Sequence, residues 1–145
     1  MANEVPYAFP VELLSGTHDF ATDTFKLALY TASPYTTAST VYVATTESSG
    51  TEYSAGGNTL AGNAVSNVAD IATVDFTDSV WGSPTPATFS AAYGAIYNSS
   101  ASNKLVVILD FGGTKSCSNG TFTVTFPSPT SGSPSGADAL LSITS

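Results

Sequence analysis

The sequence contains no arginine and no glutamine, and it has only one cysteine, one histidine and one tryptophan. Each shortage excludes something. Three basic residues against eleven acids leave a net charge of −8. Grip on a phosphate backbone depends on Lys and Arg releasing counterions, so nucleic acid is excluded as a partner. An anionic membrane surface is excluded on the same ground. A lone cysteine, Cys117, forms no intrachain disulfide, and one cysteine with one histidine cannot complete a zinc site. Acyl-transfer catalysis needs a nucleophile, a base and a group that orients the base. His18 is the only imidazole, with Asp19 beside it in sequence, and no G-x-S-x-G elbow is present. His18 therefore reads as a surface or arm residue, and Cys117, within KSCSNG, as a turn residue. No catalytic, cofactor-binding or metal residue is assigned. Long apolar runs are also missing, so no segment reaches the roughly 18 residues of a membrane span. The opening MANEVPYAFPVELLSG has no basic flank or long apolar stretch. It predicts a chain made in a cytoplasm without a secretory leader.

What remains is a chain of 145 residues with 42% hydrophobic residues and a mean hydropathy of +0.15. That is enough for one domain with its own core. Charged residues make up 10%, well below the roughly 25% of ordinary soluble domains. Serine and threonine fill the gap, and glycine and proline punctuate the chain throughout. The profile is that of an all-β protein with a hydroxyl-rich solvent face.

Residues 1–23 read as an N-terminal arm and 24–145 as the folded domain. In the arm, Tyr7, Phe9, Val11, Leu13 and Leu14 lie around Pro10, which suits the first position of a short helix closed by Gly16. So short and apolar a segment must pack on the domain or on a neighbouring subunit. TFKLALYT (24–31) alternates Phe25, Leu27 and Leu29 with Thr24, Lys26 and Ala28, the period of a half-buried strand. VYVAT (41–45) reads as a short strand. ESSGTEYSAGGNTLAG (47–62) holds three glycines within seven positions between polar runs and reads as a shaped connector anchored by Tyr53. Residues 64–77 fit helical spacing at Val65, Val68 and Ala72 and strand spacing at Val74 and Phe76; a strand is predicted over 72–77. Trp81 reads as a core or subunit-contact anchor.

FSAAYGAIYN (89–98) places Tyr93, Ala95 and Tyr97 on one strand face and Gly94 and Ile96 on the other. NSSASN turns the chain into KLVVILDF (104–111), apolar on both faces. Leu105, Val107, Leu109 and Phe111 oppose Val106 and Ile108, as befits a sheet centre. GTFTVTFP (120–127) turns Phe122, Val124 and Phe126 inward, and ALLSIT (139–144) follows a Pro/Ser/Gly-rich loop. Roughly six to eight short strands at this spacing predict a single-domain antiparallel β-sandwich or jelly-roll-like fold.

Candidate chemistry is sparse. Asp75 and Asp78 are close enough in sequence to share a calcium ion, although solvated turn residues explain them as well. The Gly-Gly pairs at 56–57 and 112–113 lack the helix and lysine of a phosphate loop and read as turns. Seven tyrosines and Trp81 supply stacking faces for a sugar. Tyrosines with one wet edge are equally at home at subunit contacts.

The order TFKLALYTAS, ESSGTEYSAGGNTLAG, VDFTDSVW, AAYGAIYNSSASNKLVVILDFGG and GTFTVTFP resembles a family of small, β-rich virion proteins of tailed bacteriophages, over about residues 22–144. The resemblance implies a structural protein of the virion and brings no catalytic residue with it. The expectation is a non-enzymatic capsid decoration (cement) protein on the outer head surface. It would be made in the host cytoplasm and would bridge subunits of the major capsid protein, with self-association, as a trimer, expected. Tyr7, Phe9, Val11, Leu13, Leu14 and Tyr53 are the candidate partner-binding residues. A tail, collar or fibre component, and a virion-borne carbohydrate-binding module, are the alternatives.

Overall fold

The computed structural model describes residues 2–68, 71–126 and 141–144. It is mostly β-structure in antiparallel sheets, with one short N-terminal helix. The element order is α1 (Ala8–Leu14), β1 (Phe25–Tyr30), β2 (Asn58–Thr59), β3 (Ala64–Val68), β4 (Ile71–Asp75), β5 (Ser79–Trp81), β6 (Ala87–Asn98), β7 (Lys104–Gly120), β8 (Phe122–Val124) and β9 (Leu141–Thr144). The main sheet runs β2-β1-β6-β7, a second runs β3-β4-β9, and β5 pairs with β8. The all-β, sandwich-like expectation holds.

The main sheet is covered on both faces. On one side Phe25, Leu27, Leu29, Ile96 and Leu109 meet Val74, Phe76, Trp81, Phe122, Val124 and Phe126 from the two smaller sheets, with Phe9 and Phe20 from the arm. On the other side Ala28, Tyr30, Ala95, Tyr97, Leu105 and Ile108 are covered by Tyr35 and Tyr42 of the 31–47 segment. β1, expected to be half-buried, is thus apolar-packed on both faces, and only Lys26 stays partly open.

The β6–β7 hairpin is the longest pairing. Its turn is fixed by Asn98, whose Oδ1 accepts from the backbone N–H of Ser100 (3.0 Å) and Ala101 (3.1 Å). From Tyr93 to Tyr97 the faces of β6 follow the alternation in the sequence; those of β7 do not. Tyr97 pairs with Leu105 and Ile96 with Val107, so Val106 is an extra residue. A β-bulge of this kind sets two neighbouring residues against one and resets the alternation. Val106 and Val107 therefore share the first core with Leu109, while Leu105 and Ile108 pack in the second. β7 also ends the strand order instead of lying at the sheet centre. Its outer edge is met by Glu4 opposite Ile108 and by Val41 opposite Lys104.

Other expectations shift. KSCSNG is strand, with Cys117 opposite Phe89 and Ser116 opposite Ser90. Gly112 and Gly113, read as a turn, bulge within β7, where the register to β6 slips between Ala91 and Tyr93. VYVAT contributes a single bridge at Val41 and no strand. The helical spacing in 64–77 is overruled by a hairpin pairing β3 with β4, Val65 opposite Val74. Here tertiary pairing outweighs local periodicity. The expected strand at 139–144 is seen at Leu141–Thr144, on the far side of β4, and the loop before it, 127–136, lies outside the described residues.

Candidate functional site

Among the described residues, the three most exposed large apolar side chains lie in the arm. Its helix starts two residues before Pro10, with Tyr7 at the N-cap position, so Pro10 occupies the third helical position. That placement costs nothing, because the first-turn N–H groups have no intrahelical partner. The helix ends in a two-bond C-cap: Gly16 N–H donates to Leu13 O (3.1 Å) and Thr17 N–H to Glu12 O (2.8 Å). Gly16 has φ +75°, the left-handed conformation such a cap requires.

The five apolar arm residues divide between two faces. Phe9, 2% exposed, lies in the first core beside Phe20 and the His18 ring, and Leu13 packs against the same core. Tyr7 (74% exposed), Val11 (67%) and Leu14 (90%) point away from it. Their i, i+4, i+7 spacing makes one stripe along the outer helix face. That spacing was legible in the sequence. What separates the stripe from Phe9 and Leu13 is only which face meets the sheet.

A polar network holds the helix from behind. Glu12 pairs with Lys104 at the start of β7 and accepts from His18 Nε2 at 3.2 Å. Burial pushes the Glu12 carboxyl up, but the hydrogen bonds from Lys104 and His18 outweigh it and hold the group below its usual value. His18, expected as a surface or arm residue, lies in the arm and is buried. Its Nδ1 faces Asn98 Nδ2 at 3.2 Å. The Asn98 amide orientation is fixed, since its oxygen serves the turn N–H groups and its nitrogen donates to Asp23 Oδ2 at 2.6 Å. His18 Nδ1 is therefore the acceptor, and Nε2–H donates to Glu12. Asp19 takes no part with the imidazole: its carboxylate accepts from Ala21 N–H (2.9 Å) and Thr22 Oγ1 (2.8 Å), which lowers its pKa.

The 47–62 connector is organised by Glu47, which sequence reasoning missed. Glu47 Oε2 accepts from Tyr42 OH at 2.6 Å, and Oε1 accepts from Tyr53 OH at 2.8 Å and Gly56 N–H at 2.7 Å. Tyr97 OH donates to Gly56 O at 2.8 Å, and Leu29 N–H donates to Tyr53 OH at 2.8 Å. Tyr53 thus anchors the connector, with its ring against Trp81 and Phe89 inside this chain. Gly57 is required there: a Cβ would sit 1.8 Å from Leu27 O, at φ +70°. Burial first, then the Glu47 carboxylate, raises the phenol pKa of Tyr42 and of Tyr53, where the Leu29 bond opposes part of the rise. Burial, with Glu47 and Tyr35 nearby, pushes Tyr97 up to about 12. Tyr30 and Tyr35 share a 2.6 Å hydroxyl contact and are raised, chiefly by burial. No sequence spacing announces this cluster, because its members come from β1, β6 and two loops.

The remaining candidates do not assemble. Among the described residues no three His, Cys, Asp or Glu side chains group as metal ligands. Asp78 is used to accept from Phe126 N–H at 2.9 Å. Cys117 Sγ lies 3.6 Å from Phe89 O. An apolar cleft of about 540 Å³ opens beside the arm, between Leu13, His18 and Phe20 on one side and Val65 and Val74 on the other. Among the described residues no helix is long and apolar enough to cross a membrane. In comparisons with known proteins, the chain matches no family model, no curated protein and no solved structure.

Proposed function

We propose that this chain is a non-catalytic structural protein of a tailed-phage virion, a decoration protein that bridges major capsid protein subunits on the outer head surface. One observation carries the reading: the outward stripe of Tyr7, Val11 and Leu14 on a helix that Phe9, Leu13 and the Glu12–His18–Lys104 network hold in place. An apolar anchor ordered in advance binds without the entropy cost of ordering it. Modest contacts of this size, repeated over a lattice, hold through effective concentration. The acidic, hydroxyl-rich composition suits a solvent-facing protein at high copy number. The order of sequence stretches that resembles small phage virion proteins supports the same reading.

The test uses particles lacking this chain, mixed with purified protein and then labelled with antibody–gold. Wild-type protein spreads gold evenly over the heads. The triple variant Tyr7→Ser, Val11→Ser, Leu14→Ser keeps its fold and leaves the heads bare. Gold confined to the neck or tail, or full binding by the triple variant, overturns the reading.

A further inference from the structure

We propose that β3 is an open docking edge that pairs with β3 of a second copy of this chain, joining two β3-β4-β9 sheets across a two-fold axis. β3 is bonded to β4 along one edge, in a register that runs without a shift from Ala64 opposite Asp75 to Val68 opposite Ile71. Among the described residues no strand or bridge lies on its other edge. In an antiparallel pair, residues alternate between those bonded across the pair and those whose N–H and C=O point away. β3 therefore presents a ready row of backbone donors and acceptors. Its side chains from Ala64 to Asn67 are exposed, Val65 at 61%.

Proteins blunt such edges with charge, proline, bulges or brevity. Two edges of the main sheet follow that rule. β2 is only two residues long, and the outer edge of β7 is met by Glu4 and Val41. β3 carries none of these devices. It has no proline, no bulge and no charge, and the uncharged stretch extends from Ala61 to Ala69.

Charge selects the occupant. With a net charge of −8, two copies repel over most of their surfaces. They can lie edge to edge only where neither presents a carboxylate, and β3 is such a place. A basic partner would find no carboxylate on this strand to pair with. Antiparallel pairing about Ser66 sets Val65 of each copy opposite Asn67 of the other and brings no two acids together. Such a contact is isologous and closes as a dimer, so it does not propagate into fibres. It also covers Val65 at the lip of the apolar cleft. The proposal stands apart from the virion reading, since it concerns the free chain in solution.

The test is sedimentation equilibrium of the full chain from about 1 to 100 µM, a range that brackets micromolar association. Wild type moves from monomer to dimer. Val65→Glu, which sets a carboxylate on each edge, raises the dissociation constant at least about tenfold. Asn67→Asp, nearly isosteric, does the same if Val65→Glu disturbs the fold. Hydrogen exchange supplies an independent readout: the β3 amides that point away from β4 exchange fast in dilute protein and become protected on concentration. A monomer throughout the range, an oligomer that ignores both variants, or protection at high dilution of the β3 amides that point away from β4 overturns the proposal.

Discussion

Phe9 and Leu14 lie on the same seven-residue helix, and alanine at each should give opposite results. Phe9 is buried in the first core, in edge contact with Phe20 at 6.3 Å between ring centres and tilted against His18 at 5.2 Å. Truncating a buried phenylalanine costs about 3–5 kcal/mol, through lost transfer energy and the cavity left behind. A domain of this kind stands on about 5–15 kcal/mol, so the loss is a large share of its stability. At roughly 2–4 °C per kcal/mol for a chain near this size, Phe9→Ala lowers the melting temperature by on the order of 10 °C. Leu14 contacts solvent over nearly all its surface, and Leu14→Ala stays within about 0.5 kcal/mol of wild type. The assay is urea unfolding followed by tryptophan fluorescence, since Trp81 is the single, buried reporter. A cost below about 1 kcal/mol for Phe9→Ala would show that the arm is not part of the core. Equal costs at the two positions would refute the division of the helix into inner and outer faces.

Two further outcomes follow from the tyrosine cluster. Glu47→Gln replaces a carboxylate that accepts from Tyr42, Tyr53 and Gly56 with an amide that has one acceptor oxygen, and it destabilises by about 2–4 kcal/mol in urea unfolding; a change within about 0.5 kcal/mol contradicts the role of Glu47 as the hub. Alkali should also unfold the protein. Tyr30, Tyr35, Tyr42, Tyr53 and Tyr97 have folded pKa values raised above the ordinary 10.0, so the native state keeps protons that the unfolded chain gives up. The stability they contribute is complete below about pH 10 and is lost as pH rises through 10 toward 12 and beyond. Ionisation of these five tyrosines and unfolding should therefore occur together in one cooperative step, and their smooth titration near pH 10 with the fold intact would be the contrary result.

The sequence by itself determined the class of this protein. Alternation at Phe25, Leu27 and Leu29 and at Phe122, Val124 and Phe126 is a local property, since successive strand side chains point to opposite faces. The double-sided apolar run at 105–111 announced a strand covered on both faces, and Gly16 announced the helix end. The candidate arm residues were legible as a group because apolar side chains on a short segment must find cover somewhere. Only the tertiary structure decided the rest. It showed which arm residues are already covered, placing Phe9 and Leu13 inward and Tyr7, Val11 and Leu14 outward. It buried His18, read from the sequence as a surface or arm residue, because Asn98, 80 positions away, and Glu12 together satisfy both ring nitrogens. It set the bulge at Val106, which no period-two pattern can encode, because a bulge exists only relative to the strand opposite. Glu47 gained its meaning the same way, from Gly56 and from the tyrosines at 42 and 53 that folding brings around one carboxylate. Periodicity is written residue by residue along the chain. Burial and hydrogen-bond partners belong to pairs of residues distant in sequence, and only folding brings those together.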